Sequence, residues 1–349
     1  MNIQERMNHF NVPGASVTYF KHSEIGWSKH FGTLEQGTQK GVNKNSIFHA
    51  CSISKMVTAL CILRLAQDGI FDLDQDVNNY LTSWKIPTNE NTLQKKITLR
   101  HLLSHQAGFS DPDGSFSPYK KGDKVPSTLD ILNGITPYNP EEVKVKYIPE
   151  TQCHYSDTSY AVIAQIAYDV TAMTISEVAS KYVFQPLNLQ QTFYWPIGEP
   201  LPKHIDPSNL AVGHNKKGEI VDGKRAIYPN EAGAGLWTTT EELTYIVIDI
   251  IKAYQGMDSV IMNQEKAKLM LTPFGCSDYM GLGVFLAIDK KDEPCFLSQG
   301  WGVGMQCKLR AYYENESGVI VMTNSDPGIY QDESLVGEII KHVCEHHEL

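Results

Sequence analysis

The sequence predicts a mixed α and β fold of the α+β class. An antiparallel sheet built from both termini is flanked by helices, and a mostly helical lobe is inserted between them. Three observations carry this. β-Branched and aromatic runs cluster near the two ends of the chain. Segments of helical apolar spacing fill the middle. No internal repeat or low-complexity tract interrupts either. The expected division is residues 1–70 with 272–349 as a discontinuous sheet domain and 71–271 as the inserted domain, with a site at their interface.

The first fifty residues read as strands with turns. The run 15–20 is β-branched and aromatic, His22-Ser23-Glu24 reads as a turn, and 26–32 as the returning strand. A helix beginning at Ser52 follows. From 53 to 66 it is apolar on most sides and free of Pro and Gly, and Gly69 stands where the pattern ends. After a connector at 71–74 and a short helical segment at 77–81, the stretch 97–105 opens on a capping Thr98 and stops before Gly108. Residues 110–150 are rich in Pro, Gly, Asp and Tyr and read as loop, with a short helix at 129–135. Long irregular stretches of this kind often border a site. Helices are expected at 159–170, 175–183, 240–253 and 264–271. Strands at 281–287, 305–313 and 318–324 are spaced as an antiparallel meander, and 333–347 reads as an amphipathic closing helix.

At 349 residues the chain can bury a large core, and 42% hydrophobic with 20% charged content is ordinary for a globular protein. The net charge of −10 argues against nucleic acid or an anionic membrane as main partner. The seven cysteines are odd in number and irregular in spacing, with no C-x-x-C. Neither a disulfide framework nor a zinc site is suggested, and free thiols in a reducing compartment are the simpler reading. The N-terminal segment has no apolar signal region, and no apolar run is long enough to span a membrane. With Met1 as the natural start, a cytoplasmic location is expected.

Two polar residues break the apolar helix: Ser52 and Lys55, at i and i+3 on one face. A serine at a helix start sits beside the positive end of the macrodipole, which favours an oxyanion there. A lysine in such a helix must find partners or lose its proton, and a desolvated lysine can take a proton from a neighbouring hydroxyl. Ser-x-x-Lys therefore reads as a nucleophile beside its base. Alone, it is also what an N-capping serine and a snorkelling lysine give. The second element is Tyr155-Ser156-Asp157, just before a helix. A tyrosine near an ammonium can serve as general base, and Asp157 can hold Lys55 in place. The ordinary alternative is a packed tyrosine and a capping aspartate. The third element is Ser298-Gln299-Gly300-Trp301-Gly302, where glycines allow backbone to approach a ligand, or simply form a hairpin.

Together these elements resemble the serine β-lactamase and penicillin-binding-protein superfamily, in particular its class C-like branch of esterases, D-amino peptidases and lactamases. The likeness runs along nearly the whole chain. Val12-Pro13-Gly14-Ala15 resembles the family's first strand, and 97–109, Gln185-Pro186-Leu187 and Ala232-Gly233-Ala234-Gly235-Leu236 resemble further segments. Tyr155-Ser156-Asp157 matches the family's Tyr-x-Asn with Asp for Asn. Ser298 stands where lactamases and transpeptidases have Lys, and Gln299 where lactamases have Thr. The resemblance implies that Ser52 is acylated while Lys55 and Tyr155 manage its proton. It also implies that backbone N–H groups of Ser52 and Trp301 form an oxyanion hole beside Ser298, Gln299, Gly300 and Asp157.

The expected function is serine hydrolysis of a small-molecule ester, amide or peptide-like substrate, with no metal or organic cofactor implied. Asp157 favours a protonated Lys55 by direct attraction, which makes Tyr155 the base, its own pKa lowered by the ammonium. The acyl pocket is expected along 110–150 and at Trp237 and Trp301. Alternatives are a β-lactamase or D-alanyl carboxypeptidase acting on cell-wall-type substrates, and a penicillin-binding-like module that binds or acylates without efficient turnover. A third is metal binding at His342, Cys344, Glu345 and His346 near the C-terminus.

Overall fold

The structure, a computed structural model, describes residues 1–349. Nine strands form two sheets. Strands β1 (Gly14–Lys21), β2 (Glu24–Gly32), β6 (Phe285–Ile288), β7 (Pro294–Gly302), β8 (Met305–Tyr312) and β9 (Ser317–Thr323) make a six-stranded sheet in the order β2-β1-β9-β8-β7-β6. All its neighbours are antiparallel. Strands β3 (Phe48–His49), β4 (Phe193–Tyr194) and β5 (Leu236–Thr238) make a small sheet in the order β3-β5-β4. The large sheet thus draws on both ends of the chain, and the helices between complete a mixed α and β architecture.

Both faces of the large sheet are covered, which explains why β1 is buried from Gly14 to Phe20 rather than alternating with solvent. The period of two is still visible in what each side chain meets. Ala15, Val17 and Tyr19, with Val319 and Val321, pack on the C-terminal helix Leu335–His346. On the other face Ser16 Oγ and Thr18 Oγ1 lie 2.7 and 2.9 Å from Thr240 Oγ1, at the start of the helix Thr240–Gln255. Ile320, Met322, Leu309 and Phe296 join the main core on that side, where the helix Ser54–Gln67 runs buried from Ser54 to Leu63. No helix is long and apolar enough to cross a membrane.

Several elements differ from the sequence reading. Residues Ile3–His9 are helical, not strand: Asn2 accepts from the Glu5 N–H at 3.2 Å, and Met7 is buried beneath the sheet. The strand expected at 281–287 is confined to Phe285–Ile288. Gly283 has φ +80°, and a Cβ on Gly281 would lie 2.2 Å from Met270 O, so this piece is a turn. The hairpin offered for the glycine-rich segment is present: its first arm is strand β7, and the pairing with β8 is closed by a two-residue turn at Val303 and Gly304. The helix read at 175–183 is α-helical over Ile175–Ala179 and widens to a π turn over Ser180–Phe184.

Candidate active site

Ser52 does not open the long helix itself. It sits within a 3₁₀ turn, Cys51–Ile53, and the α-helix begins at Ser54 with no side-chain cap. The turn is forced by Cys51, whose φ is +48°, and by β7 lying against it. A Cβ on Gly300 would meet Ala50 O at 2.2 Å and Cys307 Sγ at 2.5 Å, so only glycine lets the strand pass this close. The Cys51 thiol is drawn down in pKa: burial alone would raise it, but hydrogen bonding with Cys307 and the His49 imidazole outweighs burial. His49 Nε2 lies 2.5 Å from Ala234 O, tying the turn to the short helix Glu231–Ala234.

Lys55 is 3% exposed, and its ammonium uses all three donors. Nζ donates to Ser52 Oγ at 3.2 Å and to Gly233 O at 3.0 Å, and pairs with Asp157 Oδ1 at 2.7 Å. Burial pushes its pKa down, but attraction to Asp157 and then the Tyr155 phenol oxygen overcome this, and the net direction is up. Gly233 leaves the room: a Cβ there would sit 2.9 Å from Asp157 Oδ1.

Tyr155 is 42% exposed as a residue, with its phenol end turned into the site, and Lys55 Nζ lies 4.9 Å from the ring centroid. The expected lowering of its pKa is reversed. Burial of the phenol raises it more than Lys55 lowers it, and Asp157 adds to the rise. As found, Lys55 and Tyr155 both hold their protons at neutral pH.

Three residues that the motifs did not single out fix this arrangement. His105 stacks on Tyr155 with ring centroids 4.4 Å apart, and its Nδ1 accepts from the Ser156 N–H at 3.1 Å. Burial depresses its pKa to about 3, so it is a neutral acceptor. Asp111 accepts from the N–H groups of Asp157 and Thr158 and from the Ser156 and Thr158 hydroxyls, which anchors the start of the helix Asp157–Thr171. Asn230 Nδ2 donates to Asp157 O at 2.8 Å, and its side-chain oxygen accepts from the Gly233 N–H at 3.3 Å. His105 lay inside a segment noted for its resemblance, and its φ of +58° is a mark the sequence hides. A capping carboxylate 45 residues upstream has no sequence signal.

Ser52, Tyr155, Asp157, Gln299 and Trp301 open into one cleft of about 510 Å³. Ser298 is buried and lines an inner recess with Ser52, Lys55, Tyr155 and His105. The outer walls differ from expectation. They come from Tyr279, Met280 and Phe285, with Cys153 beside Tyr279, and from Tyr330 and Gln331. Trp237 is only 1% exposed, stacked on His49 at 4.9 Å and edge-on to Trp195 at 5.6 Å within the small sheet. No residue of the 110–150 stretch expected there lines the Ser52 cleft; residues 125–129 and Ile131 line a separate one of about 350 Å³. At the C-terminus the rings of His342 and His346 stack at 4.3 Å, and His342 Nε2 faces the Met1 amine at 3.2 Å.

The chain belongs to the beta-lactamase family: the family profile described as Beta-lactamase matches residues 2–339. It is similar to Protein flp of Staphylococcus aureus (strain MRSA252), with 24% identity over 193 residues, 55% of this chain and 37% of that protein. It is also similar to Penicillin-binding protein 4* of Bacillus subtilis (strain 168), with 26% identity over 169 residues, 48% of this chain and 35% of that protein. The matched stretches therefore span little more than a third of these relatives. Among solved structures, the octameric penicillin-binding protein homologue from Pyrococcus abyssi superposes with a TM-score of 0.74 at 20% identity, covering 97% of this chain and 76% of that one. The beta-lactamase/D-alanine carboxypeptidase from Yersinia pestis complexed with citrate gives a TM-score of 0.75 at 17% identity, covering 99% and 96%. At these identities the likeness is one of fold.

Proposed function

We propose that this protein is a serine hydrolase that cleaves an ester or amide through an acyl-enzyme on Ser52. The observation that carries the reading is the ammonium of Lys55 held 3.2 Å from Ser52 Oγ by Asp157 and Gly233 O, at the base of an open cleft. Lys55 donates to Ser52, so the serine proton is left to leave towards the Tyr155 phenol. In the form of the Tyr155–Lys55 pair that has lost one proton, Ser52 Oγ adds to the carbonyl carbon, its proton passes to the Tyr155 oxygen, and the leaving group departs with that proton. Water then adds to the acyl carbon by the reverse route and frees the acid. Backbone N–H groups of Ser52 and Trp301 serve the developing oxyanion, and Gly300 brings that strand within reach. The division into residues 1–70 with 272–349 and an inserted 71–271 is retained as the domain organisation that puts this site at an interface.

Uncharged Ser298 and Gln299 favour this over a β-lactamase or D-alanyl carboxypeptidase that must hold a carboxylate. The test is a panel of p-nitrophenyl esters, nitrocefin and D-amino-acid amides against wild type and Ser52→Ala. Ester turnover that vanishes in Ser52→Ala is expected. Turnover surviving that substitution would refute the assignment, and labelling without turnover of any substrate would favour a binding module.

A further inference from the structure

The charges around the cleft point to a substrate class. No lysine, arginine or histidine lines the cleft itself, and the lysines nearest to it are paired. The Lys55 ammonium is shared among three acceptors. Lys308, across from Gln299 on the neighbouring strand, is 3% exposed and paired with Asp332. His105 behind Tyr155 is neutral, its pKa depressed by burial. Exposed His154 turns towards Tyr147, with ring centroids 6.1 Å apart. A carboxylate on a substrate would therefore meet no free positive partner.

One carboxylate near the cleft, by contrast, has no cationic partner. Asp157 lines the cleft, but its charge is balanced by Lys55 at 2.7 Å, so it adds no net field there. Asp326 stands at the rim, accepting from Trp301 Nε1 at 2.7 Å and from the Gly328 N–H at 3.0 Å. Trp301 so anchored meets Tyr330 edge-on at 5.6 Å. Across the cleft, Tyr155 and Phe285 lie nearly parallel, 6.4 Å apart, with Tyr279 beside them. Aromatic faces beside an unpaired carboxylate attract a cation and repel an anion. The excess of acid over base along the chain acts in the same sense.

We propose that the cleft takes esters or amides whose acyl part carries an ammonium or quaternary ammonium group, held among Tyr155, Phe285, Trp301 and Tyr330 under the field of Asp326. This rests on the Ser52 hydrolase reading and names its substrate. The carbonyl reaches Ser52 at the base while the charged head occupies the aromatic mouth. The chemical step is the acyl transfer already described, and the ammonium takes no part in it.

Three p-nitrophenyl esters of equal length test this: γ-trimethylammoniobutyrate, its isostere with a quaternary carbon in place of nitrogen, and the glutarate mono-ester. The expected order of kcat/KM is cation over neutral by about tenfold, with the anion lowest. The cation preference should shrink in Asp326→Asn and Trp301→Leu and at high salt. Equal rates for all three, or preference for the neutral or anionic ester, overturn the proposal and leave the nucleophile assignment standing. Absence of Ser52-dependent release from every ester overturns the hydrolase reading instead. The cleft is then read by itself, through calorimetric titration of the Ser52→Ala protein with butyltrimethylammonium. Saturable binding that is lost on adding Trp301→Leu supports the proposal, and no binding overturns it.

Discussion

Replacing Asp157 with Asn perturbs the proton inventory of the site at one atom. Asp157 Oδ1 lies 2.7 Å from Lys55 Nζ. At an effective dielectric of about 20 that contact is worth about 6 kcal/mol of gross attraction. Part is already lost to solvent, because the Asp157 side chain is 27% exposed, and an asparagine oxygen still accepts the same hydrogen bond. A net loss of about 3 kcal/mol is a fair working figure, equivalent to about two pH units on the proton held by the pair. In the wild type both Lys55 and Tyr155 are held protonated above neutrality. Ser52-dependent turnover should accordingly climb through the alkaline range. In Asp157→Asn the climb should begin about two pH units lower. Near neutral pH the rate should rise about tenfold, the gain in free base being partly offset by its lower basicity. The assay is kcat/KM for p-nitrophenyl acetate across the neutral and alkaline range, with Ser52→Ala subtracted as the blank. A rising limb that stays in place, or moves to higher pH, would refute the electrostatic role given to Asp157.

Other outcomes follow from the same geometry. Tyr155→Phe should lower kcat by about 10²–10⁴ with KM little changed, and a kcat near wild type would remove the phenol from the mechanism. Gly300→Ala drives a Cβ to 2.2 Å from Ala50 O, while Gly41→Ala meets nothing nearer than 3.9 Å. The first should lower stability by about 1–3 kcal/mol and abolish most activity, and the second should do neither, as read by thermal melts and ester turnover. His105 is buried neutral, with its pKa lowered from 6.5 to about 3. Below pH 6.5 the unfolded chain binds a proton that the folded chain refuses, so stability falls as pH falls through that window. Denaturant titrations should show wild type losing about 2 kcal/mol more than His105→Gln between neutral pH and about pH 5, and parallel losses would contradict the buried neutral state.

Much of the frame was legible because it depends on local pattern. The run from Ser54 to Leu63 is apolar on most sides and is buried throughout. Thr98 and Thr239 stand where caps were sought or helices expected, and both accept from a backbone N–H of the first turn. The Ser52–Lys55 spacing puts both groups in contact because one helical turn does so for any sequence. What could not be read depends on residues distant in the chain. The sign of the Tyr155 shift is set by burial against its neighbours, which no spacing encodes. Trp237, expected at the pocket, instead fills a gap between His49 and Trp195, a choice that its sequence neighbours do not encode. The mouth of the cleft comes from Tyr279, Phe285 and Tyr330, loop and strand-edge residues that are indistinguishable in sequence from ordinary surface aromatics.

The most direct measurement is the site of covalent capture. A fluorophosphonate probe should add one label to the intact protein, seen by mass spectrometry and mapped to the Ser52 peptide. The label should vanish in Ser52→Ala and persist in Ser54→Ala, whose hydroxyl is already committed to Cys51 O at 2.5 Å and the Leu236 N–H at 2.9 Å. A label that survives Ser52→Ala, or maps to any other residue, would contradict the assignment of Ser52 as the nucleophile.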